Sequence, residues 1–131
     1  MTAELVAIRE GARLEAESRG RAHITTNTAT GTPGLIVVPD GSLDLRGDGI
    51  KARSLDFFDR FGGAFGIESS TRDLELESTR TDRLGSTHLR FRQQYHGVPV
   101  FGAEIRTHFN AADELYAANG TLVPNLQLDP R

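Results

Sequence analysis

Four histidines, His23, His88, His96 and His108, and a row of arginines at Arg90, Arg92 and Arg106 are the residue types in this chain best suited to chemistry. His88 and His108 fall in two segments of alternating polarity and would face one another if those segments paired. Two imidazoles on adjacent strands could hold a metal ion if a carboxylate such as Glu104 or Asp113 joined them. His96 cannot share that ion, because eight residues of extended chain place it about 26 Å from His88 at roughly 3.3 Å per residue. No His-Glu-x-x-His occurs, since the four histidines precede Ile24, Leu89, Gly97 and Phe109. The histidines therefore read as structural or solvent-exposed side chains, and no metal ligand is assigned.

Other reactive groupings are equally incomplete. No Gly-x-Ser-x-Gly is present, and Ser69-Ser70-Thr71 reads as capping or turn chemistry. Gly31, Gly34, Gly41, Gly47 and Gly49 lack the strand-loop-helix setting of a phosphate cradle. With no cysteine there is neither a thiol nucleophile nor a thiolate site. Nothing assembles a nucleophile, a base and an electrophilic partner, so the reading is a non-enzyme with no catalytic and no cofactor-binding residue.

The elements that would position these residues are legible from periodicity. Leu89, Phe91 and Tyr95 share one face of a strand from Thr87, with His88, Arg90, Arg92, Gln94 and His96 on the other. After Gly97-Val98-Pro99-Val100-Phe101-Gly102, taken as the turn, Ala103, Ile105, Thr107 and Phe109 alternate with Glu104, Arg106 and His108. Asp73 to Thr79 alternates too. Setting Arg80 opposite Thr87 places Leu76 on Phe91, Glu77 on Arg90 and Glu75 on Arg92, so the arginine row reads as a cross-strand charge ladder and not as a phosphate track. Leu115 to Val123 adds a further strand, with a bulge or bend expected at Asn119-Gly120. Ile50 to Phe61 predicts a helix whose apolar stripe is Leu55, Phe58, Phe61 and, past the stop Gly62-Gly63, Phe65. That stripe reads as core packing and not as a heme or flavin cradle. Thr2 to Arg19 predicts another helix ending at Gly20. Arg21 to Gly49 is rich in Thr, Gly, Pro and Asp and predicts short strands and turns, with Leu35 to Val38 as its β-prone run.

Together these predict an α+β fold: an antiparallel β-meander of about four strands with a helix packed on one face, cystatin-like, plus the N-terminal helix. The domain reading is a helical extension over 1–20 and one domain over 21–131. A chain of 131 residues suits a single core, and 15 Lys plus Arg against 18 Asp plus Glu provide no global field for nucleic acid or an anionic membrane. No apolar run approaches the roughly 18 residues of a membrane span, and MTAELVAIREGARLEAESRGR predicts no export signal within this chain.

In order along the chain, ATGTPGLIV, ARSLDFFDRFGGAFGI, HLRFRQQYHGVPVFGAEIRTHFN and the closing NGTLVPNLQLDP resemble the propeptide region of thermolysin-type and fungalysin-type zinc metallopeptidases, the FTP motif. The resemblance runs from about Ile24 to Pro130. Its most specific part is Tyr95, then Gly97 to Gly102, an alternating strand and Asn-Gly-x-Leu-x-Pro. It implies a prosegment of a secreted or periplasmic precursor that assists folding of the peptidase domain and inhibits it until cleavage. Zinc and calcium are implied only for that peptidase domain. The partner would be a thermolysin-like domain in cis or in trans, met through Val98, Val100 and Phe101, though Val100 and Phe101 could instead cap the core. The alternative is a stand-alone module that binds an unrelated protein through the same fold.

Overall fold

In the computed structural model, the residues described are 23–26, 33–38, 43–61, 67 and 69–122. Among these residues six strands form one antiparallel sheet: β1 (His23–Thr26), β2 (Pro33–Val37), β3 (Leu74–Thr81), β4 (Thr87–Tyr95), β5 (Val98–Phe109) and β6 (Leu115–Thr121), in the order β1-β2-β6-β5-β4-β3. Helix α1 (Ile50–Phe61) and the single turn α2 (Ser70–Asp73) lie between β2 and β3 in sequence. The meander β3 to β6 and the helix on one face match expectation. The strand number does not, because the turn-rich stretch before the helix supplies β1 and β2, and β2 docks on the free edge of β6 through Leu35, Ile36 and Val37 opposite Asn119, Ala118 and Ala117. The expected helix over Thr2–Arg19, its stop at Gly20, the Gly62-Gly63 stop and Phe65 all lie outside the described residues.

α1 spans the predicted residues and buries Phe58 and Phe61 of the expected stripe, but its buried face is turned toward Ser54 and Phe57 and leaves Leu55 at the core margin. Ser54, Phe57, Phe58 and Phe61 are buried, while Leu55 is only half-buried. Spacings of three, four and seven residues put these four on one stripe. Phe57, absent from the sequence-derived stripe, is fully buried, and its ring lies 5.5 Å from those of both Phe58 and Phe61. The helix meets the sheet where Phe58 stands edge-on to Phe91 at 5.5 Å and 82°, an arrangement favoured by the ring quadrupoles. Ile36, Val38, Leu74, Leu89, Ile105, Phe109 and Leu115 lie in the same core. Gln93 also lies on the core face and is buried, which the apolar pattern did not single out.

A polar contact crosses this dry interface. Ser54 and Thr107, both fully buried, share a hydroxyl hydrogen bond of 2.8 Å between helix and sheet. The remaining ties are peripheral. Arg53 donates to the Asp113 carbonyl at 2.8 Å, and the Asp59 carboxylate accepts from the Ser70 amide at 3.0 Å, joining α1 to α2. Ser69 sits at the α2 N-cap without a capping bond from its side chain. Its own amide instead donates to the Asp73 carboxylate at 3.2 Å, so the expected capping role passes to Asp73.

Three irregularities interrupt the ladders of the meander β3 to β6. Leu76 does face Phe91 and Glu75 faces Arg92, but Glu77 is inserted as a bulge, so Arg80 falls opposite His88 and not Thr87. The β5–β6 irregularity lies at Tyr116, between the Phe109–Leu115 and His108–Ala117 pairs. Asn119 and Gly120, where a bulge was expected, pair regularly with Arg106 and Ile105. Gly120 is there for clearance, since a Cβ would collide with the Glu104 backbone. The third, in the β4–β5 hairpin, shapes the candidate site.

The Ser54–Thr107 bond yields a prediction. Ser54→Ala should lower stability by about 1–3 kcal/mol by stranding the Thr107 hydroxyl, whereas adding Thr107→Val should recover much of that loss. Urea unfolding of both single variants and the double variant checks the coupling.

Candidate functional site

The β4–β5 hairpin is tighter at its turn than the sequence implies, and looser beyond it. Tyr95 pairs with Val98, so the turn is only His96-Gly97, with φ of 49° and 78°. Two central residues at positive φ match the twist of the flanking strands, and Gly97 adopts that backbone without a Cβ penalty. The Tyr95 and His96 rings lie edge to face at 4.2 Å. Gln94 pairs with Pro99, but Arg92 pairs with Glu104. One residue on β4 therefore opposes four on β5, and Val100 to Ala103 are extruded from the ladder. The six residues expected to form one turn thus form the start of β5 and a looped-out segment.

This extrusion presents the three candidate partner-binding residues unequally. Phe101 is fully exposed and Val98 is 64% exposed, while Val100 is half-buried. Phe101 therefore does not cap the core. Beside it lies a shallow concavity of about 410 Å³ bordered by Glu77, Arg92, Val100 and Glu104, so an apolar tip borders a charged floor.

The floor is the expected charge ladder. Arg92 meets Glu77 at 3.0 Å and Glu75 at 3.9 Å, Arg90 meets Glu77 at 3.5 Å and Glu104 at 3.8 Å, and Arg106 meets Glu104 at 2.8 Å. Arg90 stands directly opposite Arg106, a repulsive pairing that Glu77 and Glu104 offset from either side.

At the opposite end of the hairpin His88 pairs with His108, as alternation suggested. Their Nδ1 atoms are 2.6 Å apart. His88 Nε2 lies 2.8 Å from Asp82 Oδ2 and His108 Nε2 lies 2.5 Å from Asn119 Oδ1. Glu104 is held by arginines, and among the described residues no three His, Asp or Glu side chains converge to hold a metal ion. Burial, more than the charges of His88 and Arg106, holds the His108 imidazole below its usual pKa range against an opposing hydrogen bond to Asn119. The hydrogen bond from His88 holds the Asp82 carboxyl below the ordinary carboxylate range, helped by the Leu84 and Ser86 amides. Sequence reasoning missed Asp82 and Asn119. The Asp-x-x-Gly-Ser turn is a recognisable Asx signal for Asp82, but Asn119 joins the row only once the β5–β6 register is known.

A family model described as Fungalysin/Thermolysin Propeptide Motif matches residues 72–122. The chain is 36% identical over 122 residues to the thermostable neutral protease NprT of Geobacillus stearothermophilus, covering 92% of this chain and 21% of that protein. It is 36% identical over 96 residues to a thermolysin of Alicyclobacillus acidocaldarius, covering 72% and 17% respectively. With a bacillolysin of Bacillus subtilis strain 168 it shares 35% identity over 52 residues, covering 40% and 10%. The chain spans about a fifth or less of the length of these relatives. No solved structure matches it.

Because Phe101 lies against nothing it would lose, Phe101→Ser should change folding stability by no more than about 0.5 kcal/mol. Thermal or urea unfolding of the variant beside the parent checks that the hairpin tip is not part of the core.

Proposed function

From the premise that residues 72–122 are a fungalysin/thermolysin propeptide motif, we propose that this chain is the N-terminal propeptide domain of a secreted thermolysin-like zinc metallopeptidase precursor. In this role it assists folding of the peptidase domain and inhibits it until cleavage, in cis within the precursor or in trans after release. Zinc and calcium would belong to the peptidase domain and not to this chain. The reading is carried by the motif match, which extends from α2 to the end of the meander and contains the hairpin with its exposed tip. Among the described residues no helix is long and apolar enough to cross a membrane.

The physical task is to hold and cover a neighbouring surface. Val98 and Phe101 are apolar side chains already outside the core, so their burial against a partner would not disturb the domain's own packing. An aromatic anchor surrounded by polar groups is the usual composition of an energetic centre in an interface. The flanking arginines and glutamates, already paired with one another, would form a rim that contributes register more than affinity.

A double variant separates docking from folding. With the full chain and a separately produced thermolysin-like peptidase domain, Val98→Ser with Phe101→Ser should raise Kd by about tenfold or more, corresponding to roughly 1.4 kcal/mol, while unfolding stays cooperative. Equal affinity of variant and parent would remove the hairpin from the interface. Failure of the parent to bind or to increase refolding of the peptidase domain would count against the prosegment reading itself.

A further inference from the structure

Asp82, His88, His108 and Asn119 come from the β3–β4 turn, β4, β5 and β6, and join in one line of hydrogen bonds of 2.8, 2.6 and 2.5 Å. Donors and acceptors along this line can be counted. An ionised carboxylate only accepts, so His88 Nε2 must carry hydrogen. With both rings neutral, His88 Nδ1 accepts from His108 Nδ1, His108 Nε2 becomes an acceptor, and Asn119 must turn its amide nitrogen toward it. Every bond is then satisfied with no net charge on the imidazoles.

One added proton is also accommodated. Both Nε2 atoms then carry hydrogen, directed to Asp82 and to the Asn119 oxygen, and one further hydrogen lies between the two Nδ1 atoms. Asn119 makes the difference by rotating its amide half a turn, presenting oxygen in place of nitrogen. A second proton has no place in this arrangement. It would set two Nδ1–H groups against each other at 2.6 Å, with two imidazolium charges on directly paired residues.

We propose that these four residues form a proton-binding site that admits one proton and excludes a second, so that acidification forces the imidazoles apart and loosens the pairing of β5 with β4 and β6.

The surroundings favour exclusion. Around the pair, β3 supplies Arg80, opposite His88, β4 supplies Arg90 and β5 supplies Arg106, while β6 supplies the neutral Asn119 and Tyr116, whose ring is 6.0 Å from that of His108. Asp82 is the carboxylate bonded to the pair, and Glu77 and Glu104 are engaged with Arg90, Arg92 and Arg106. The lowered position of His108 agrees in sign. An imidazole harder to protonate when folded contributes stability that is complete above its ordinary pKa of 6.5 and is lost as pH falls below it. Asp82, ordinarily near 3.8 and also lowered, adds a loss of the same sign at more acid pH. This inference does not rest on the prosegment reading, because its readouts are the chain's own folding and protonation.

Three measurements on the full chain test it. In urea unfolding from pH 8 to pH 5, the parent's unfolding constant should rise below pH 6.5, by at most about tenfold per pH unit for one excluded proton. His108→Gln should abolish that rise, whereas His96→Gln, at the exposed turn, should retain it. If His108→Gln lowers stability equally at all pH values and leaves the acid dependence intact, the residue is merely structural and the proposal falls. Imidazole nitrogen chemical shifts followed by NMR cover the case in which that variant does not fold. The folded parent should take up one proton across His88 and His108 together, and two fully charged rings in an intact sheet at pH 5 would overturn the proposal. Stoichiometric binding of added zinc chloride that depends on both rings would also overturn it, by making the pair a metal site.

Discussion

Phe58 standing edge-on to Phe91 is the contact on which the rest of the architecture depends. A sheet has two faces, and this contact decides which one is dry. Once α1 covers one side of β4, the alternation of every neighbouring strand is committed. Leu89, Ile105, Thr107 and Phe109 turn under the helix, and His88, Arg90, Arg92, Glu104, Arg106 and His108 turn away from it. Burial of an aromatic side chain contributes roughly 1.5–3 kcal/mol, more than a typical exposed ion pair. The charged face is therefore organised by the dry face and does not organise it. The Ser54–Thr107 bond inside that interface adds directional preference where packing alone would tolerate rotation of the helix.

From this one constraint the two ends of the β4–β5 hairpin acquire different characters. Toward the turn, four residues of β5 must fit against one of β4, and the excess is pushed out of the ladder with Phe101 at its crest. Toward the other end, regular pairing sets His88 against His108, while the adjoining turn and β6 deliver Asp82 and Asn119 to the outer nitrogens. One end is apolar and stands clear of the core. The other is polar and internally satisfied. The two features are thus separated along the hairpin by the paired residues between them.

The charge ladder between these ends contributes chiefly to pairing. Each arginine of the row reaches a glutamate on an adjacent strand or on its own, which neutralises the direct opposition of Arg90 and Arg106. Exposed pairs of this kind are individually weak and screened by salt. Their value lies in penalising alternative registers, because a slip by one residue would place charge under the helix.

Period-two alternation made the meander, its core face and the facing histidines legible, because each depends on parity alone. The limits of α1 were legible for the same reason, as helical spacing is local. Parity cannot count inserted residues, so the bulge at Glu77, the irregularity at Tyr116 and the extrusion of Val100 to Ala103 became visible only when strands were paired. Nor does local pattern fix the rotation of a helix with apolar residues at Leu55, Phe57, Phe58 and Phe61; packing against Phe91 and the Ser54–Thr107 bond selected Phe57 over Leu55. The β-prone run at Leu35 to Val38 was legible and lies largely in β2, whereas β1 was obscured among Thr, Gly and Pro; β2 joins the sheet on the edge of β6, and β1 joins on β2. Amino-acid order alone thus determined which side chains share a face. Tertiary structure decided which of them touch, because distances between chain-remote groups such as Asp82, His108 and Asn119 depend on register, and register is settled by the whole core at once.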